Sequence, residues 1–188
     1  QSATLQNQLF LTIELQSTAL EAELERLNHI ARQITSRTRI REELERYNRG
    51  EISNEGLAEF ARPKLADAMR SNPDVLGISR LAQDRSLVLT VGSEIPSTHW
   101  PHRISDSATR TGKPAAGMVV VSAPIKNRSL ETVGIDLVMF RDDRLSAIMQ
   151  NSFERMQSSG SVQIVTLVEG RAQHFYDIGH TTQPVSHE

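Results

Sequence analysis

Along residues 1–49 the apolar side chains recur at helical spacing. Phe10, Ile13, Leu20, Leu24, Leu27, Ala31 and Ile34 fall on a heptad seam, with a at 10, 17, 24 and 31 and d at 13, 20, 27 and 34; Ser17 is its one polar member. With no Gly or Pro before Gly50, the pattern predicts one long helix. Ile40, Leu44 and Tyr47 sit on a shifted face of it. At 1.5 Å per residue such a helix spans roughly 70 Å, longer than one globular domain. Part of the seam is therefore expected to meet a second copy, in a parallel homodimer through the N-terminal helix. Gly50 reads as the C-cap. Ser53 or Asn54 caps a following helix to about residue 61. Pro63 then starts or kinks another over 63–70, which Asn72-Pro73 stops.

From residue 75 the pattern becomes strand-like. Residues 75–81 and 87–91 predict a hairpin around Gln83-Asp84-Arg85-Ser86. A polar crossover, 93–116, carries Pro96, Pro101, Gly112 and Pro114. Two Val- and Ile-rich strands, 117–125 and 132–140, follow, joined by the polar turn 126–130. A short helix over 142–156 ends before Gly160, and a last hairpin, 162–168 with 172–176, turns at Glu169-Gly170. The expected organisation is a helix over 1–50, an α+β module over 51–145, and a helix and hairpin over 146–188. That last part either completes the module or opens a second, membrane-proximal one.

Composition narrows the function classes. The net charge of −2 lacks the basic excess of a nucleic-acid binder, so no nucleic-acid partner is expected. The chain has no cysteine, which excludes disulfides, thiolate catalysis and Cys-ligated zinc. Aromatics are 4% of the chain, so the core must be built from aliphatic side chains. No stretch reaches the roughly 20 apolar residues of a membrane span. The start at Gln1 and the polar tail 181–188 read as an excerpt of a longer chain, anchored in a membrane by segments outside it. Gly-rich phosphate loops, GxSxG and HExxH are all absent from the sequence, so no enzyme and no cofactor are expected.

Three stretches resemble the Cache family of PAS-like periplasmic sensor domains, found in histidine kinases, diguanylate cyclases and chemoreceptors. They are SRTRIREELERYNRGE at 36–51, VLGISRLAQDRSLVLTVG at 75–92, and the run from Thr111-Gly112-Lys113-Pro114 to Gly134-Ile135-Asp136-Leu137-Val138. The resemblance covers roughly residues 1–145. It implies an α+β fold: a long N-terminal helix emerging from the membrane, then a PAS-like module with a curved antiparallel sheet flanked by short helices. A ligand pocket would lie between that sheet and the crossover. In amino-acid-binding members an Asp at the position of Asp136 contacts the ligand's amino group, and the crossover carries Arg-x-Trp-Tyr. Here that stretch reads His99-Trp100-Pro101-His102-Arg103, so the second half of the pattern is missing.

The candidate ligand-binding residues are His99, Trp100, Arg103, Arg110, Ser122 and Asp136. Long crossovers carry function more often than core strands do. Trp100, the only tryptophan, supplies apolar contact, and Arg103 and Arg110 suit an anionic group. Asp136 lies inside an apolar strand, where a carboxylate is costly unless paired; it reads either as a ligand contact or as the buried partner of an arginine such as Arg80. His99 and His102 have a metal-like spacing, but Pro101 between them breaks helical geometry and no third ligand is in register, so no metal is expected. The leading expectation is an extracytoplasmic sensor of a small molecule, a carboxylate or a zwitterion, signalling to an output domain elsewhere in its parent receptor. The alternative is a structural or partner-binding dimerisation module with no small ligand.

Overall fold

The N-terminal seam forms two helices. In the computed structural model, α1 runs Ser2–Thr35 and α2 Thr38–Asn48. The backbone is described for residues 2–101, 104–112, 117–156, 162–168 and 171–178, and side chains for 11, 14–101, 104–112 and 117–151. The break has a local cause. The Thr35 and Ser36 hydroxyls donate back to the carbonyls of Arg32 (2.8 Å) and Gln33 (3.1 Å), and Arg37 takes extended dihedrals (φ −67°, ψ 107°). Such side chains offer the backbone partners that compete with helix continuation. Helix α3 runs Asn54–Arg70 through Pro63, so Pro63 does not begin a new helix as one of the two expectations had it. Its buried stripe of Leu57, Ala61, Leu65 and Ala68 offsets the one lost backbone bond. Ser53 caps it, accepting from the Gly56 N–H at 3.1 Å. Ser53→Ala should lower stability by about 1 kcal/mol in urea denaturation, and no change would mean the cap is idle.

Contacts divide the chain into two compact units, Glu23–Asp142 and Gln1–Ala22 with Asp143–Glu188. In the first, strands β1 (Val75–Ala82), β2 (Leu87–Gly92), β3 (Arg110–Thr111), β4 (Met118–Lys126) and β5 (Thr132–Arg141) form one antiparallel sheet in the order β2-β1-β5-β4-β3. This is an α+β fold with the strand order of a PAS domain. The crossover between β2 and β3 contains a 3-10 turn, Ser97–His99. In the second unit, α4 (Asp143–Met156) precedes β6 (Val162–Val168) and β7 (Arg171–Ile178), which pair as a separate two-stranded sheet.

The sheet is buried on both sides at its centre, where β5 is buried from Val133 to Phe140. Successive side chains point to opposite faces. Ile135, Leu137 and Met139 join Leu81, Val120 and Ile95 in one apolar cluster, against which Trp100, Ile104 and Met118 pack. Gly134, Asp136, Val138 and Phe140 take the other face. There α2 comes so close that a Cβ on Gly134 would meet Leu44 Cδ2 at 2.7 Å. Helix α1 is tied to the same unit by the Arg26–Asp74 ion pair (2.9 Å) and by Thr111 donating to Asn28 (3.1 Å). Leu27, Ala31 and Ile34, three members of the expected dimer seam, are thereby buried within the chain.

Candidate functional site

Of the six residues picked from sequence, the five that the structure describes do not gather around one cavity. Asp136 points to the helix face and is fully buried. Its two carboxylate oxygens accept from Arg80 Nε and Nη2 at 2.7 and 2.6 Å, a bidentate pair between directly opposed residues of β1 and β5. Trp100 lies on the opposite, crossover face, packed on the apolar cluster, its indole N–H donating to the Ile95 carbonyl at 3.3 Å. The expectation that Trp100 and Asp136 face one cavity is thus corrected: strand alternation separates them, and Arg80 already saturates the carboxylate. Ser122, buried, donates to the carbonyl of its cross-strand partner Arg110 at 3.4 Å. His99 closes the 3-10 turn, half-buried. Arg103 and His102 lie outside the described residues. Among the described residues no group of His, Asp and Glu is placed to hold a metal.

The structure does form a polar groove elsewhere, of about 600 Å³, where four segments meet. The end of α2 supplies Glu45, Asn48 and Arg49, and the β1–β2 turn supplies Gln83 and Arg85. The crossover gives Asp106, and the β4–β5 turn and strand start give Asn127, Glu131, Thr132 and Val133. Each wall is fixed by its own side chains. Asn48 spans two segments, donating to Val133 O at 2.7 Å and accepting from Gln83 N at 3.5 Å. Asp84 accepts from the Ser86 hydroxyl (2.6 Å) and N–H (2.9 Å), which closes the β1–β2 turn and holds that carboxyl below the usual carboxylate range. Asn127 does the same for the β4–β5 turn, accepting from the N–H groups of Ser129 and Glu131 at 2.9 Å each. The crossover is pinned at Asp106: Thr132 donates to its carbonyl and Arg85 Nη2 to its carboxylate, both at 2.6 Å.

Arg85 adopts φ 71°, the left-handed region that side chains other than Gly and Asn seldom enter. Its Nη1 is buried and has no hydrogen-bond partner among the described residues. Arg49 is taken up by Glu51 at 2.5 Å; that contact, with a second from Arg46, holds the Glu51 carboxyl below its ordinary value. Glu45 and Glu131 line the groove in no ion pair with any described residue. None of these residues was singled out from sequence. The one available signal was a four-residue turn, Gln83-Asp84-Arg85-Ser86, that offers no glycine to the position needing a positive φ.

No protein-family model matches the chain, and no curated protein matches it in sequence. Among solved structures, the periplasmic domain of Vibrio cholerae LuxQ is similar at a TM-score of 0.46 and 12% identity, over 94% of this chain and 82% of that one.

Proposed function

We propose that the chain is the extracytoplasmic sensing module of a membrane-anchored signalling receptor, without enzymatic activity of its own. On this reading a small molecule binds in the polar groove, and the output domain lies elsewhere in the parent protein. The observation that carries it is a PAS strand order whose crossover forms one wall of a groove otherwise built from α2 and two strand turns. A ligand there touches four segments at once. It can favour one packing of crossover and α2 over another only by its difference in affinity for the two. Helix α2 follows α1 directly, so a shift of α2 reaches the N-terminal helix.

Copies of the chain would associate through α1, on a stripe other than the one the heptads marked. Leu11 and Leu15, one turn apart, are 59% and 64% exposed. The same stripe favours a second reading, a dimerisation module with no ligand, in which α1 is the working surface.

The test of location uses a single cysteine. Ser129 is exposed in the β4–β5 turn, and the chain has no cysteine of its own. In the parent protein, Ser129→Cys should be labelled by a membrane-impermeant maleimide in intact cells, above the level of the unaltered parent. Labelling that appears only after lysis would place the module in the cytoplasm and end the extracytoplasmic reading.

A further inference from the structure

Arg85 is a costly choice for its position. A left-handed residue in a tight turn is ordinarily Gly, Asn or Asp, and residues in such conformations cluster at functional sites. An arginine held at φ 71° places a guanidinium at the wall of the groove. That guanidinium is only half used. Nη2 bonds Asp106, while Nη1 has no acceptor among the described residues. The Asp106 side chain is 69% exposed, and exposed pairs hold weakly. A guanidinium fork prefers a carboxylate that takes two N–H groups together.

The remaining charge points the other way. With Arg85 on Asp106 and Arg49 on Glu51, the groove keeps two carboxylates outside any close ion pair among the described residues: Glu45 on α2, which feels the charge of Arg49, and Glu131 on the β4–β5 turn, which accepts from Asn127 Nδ2 at 3.0 Å. An anion alone would be repelled, whereas an ammonium would be held. We propose that the groove binds a small molecule carrying a carboxylate at one end and an ammonium at the other. Its carboxylate takes Arg85 from Asp106, and its ammonium sits between Glu45 and Glu131. Ligand entry then releases one of the two ties that pin the crossover at Asp106. This takes the groove to be the sensing site proposed above.

The experiment is calorimetric titration of the 188-residue chain with three probes of equal length: 4-aminobutanoate, 1,4-diaminobutane and succinate. The amino-carboxylate should bind saturably, the diamine roughly tenfold or more weaker, and succinate not at all, since each lost charged contact costs about that factor. Arg85→Gln should weaken 4-aminobutanoate by about tenfold or more, and Glu131→Gln by several-fold. Asp106→Asn removes the internal competitor and should tighten binding. That variant keeps the test decisive if Arg85→Gln fails to fold, because an Arg85 that merely holds the turn gives no tightening. No binding by any probe, a diamine as tight as the amino-carboxylate, or unchanged affinity in Asp106→Asn would each overturn the proposal. These outcomes are separable from the sensing reading: maleimide labelling from outside the cell with no binding here sinks the ligand class alone.

Discussion

Replacing Asp136 with Ala should destabilise the chain by about 3–5 kcal/mol, the cost of leaving a buried charge without its partner. Arg80 is 1% exposed and Asp136 is 0% exposed, so water cannot replace the lost carboxylate. The surroundings offer no substitute, because the residues that flank the pair on that face are Ile78, Ala82, Gly134 and Val138. Asp136→Asn keeps the shape and one acceptor oxygen but removes the charge, so its loss should be nearly as large. The double variant Arg80→Met/Asp136→Leu should recover most of it, since an apolar pair of similar volume avoids the desolvation penalty altogether. Urea denaturation of the three variants measures this. A cost below about 1 kcal/mol for Asp136→Ala would mean that the pair is not closed to water as the structure has it.

That pair also shows how far the sequence could be read. Asp136 was recognisable as a carboxylate in an apolar strand, and Arg80 was nameable as its partner. The choice between ligand contact and ion pair required the register. Only when β1 and β5 align Arg80 with Asp136 does strand alternation turn both toward the helices, away from Trp100. The strands themselves were legible because runs such as Met118–Lys126 and Thr132–Arg141 are dense in β-branched residues and bounded by polar turns. The break between α1 and α2 was not, because it comes from two hydroxyls bonding backward and leaves no Gly or Pro as a mark. The groove was illegible for another reason. Glu45, Arg85, Asp106 and Glu131 lie in four separate segments, each an ordinary polar residue near a turn or helix end, and they become a site only through topology.

The N-terminal seam gives the sharpest contrast between pattern and packing. A heptad stripe says that one face of a helix is covered, and does not say by what. Leu27→Ala should cost about 2–5 kcal/mol, the range for a fully buried leucine whose cavity cannot collapse. That loss should be the same at every protein concentration, because Leu27 is covered by its own chain. Leu11→Ala and Leu15→Ala should each stay within about 0.5 kcal/mol wherever the chain is monomeric, as expected of exposed positions. Where copies associate, these two should instead weaken the dimer, and sedimentation would show it. Urea midpoints measured across a hundredfold range of concentration separate the cases. A Leu27→Ala defect that shrinks or grows with concentration would show that this part of the seam is covered by a second copy. Concentration-independent loss at Leu27, with effects at Leu11 and Leu15 confined to association, assigns one helix two jobs: core from Leu27 onward, and contact surface before it.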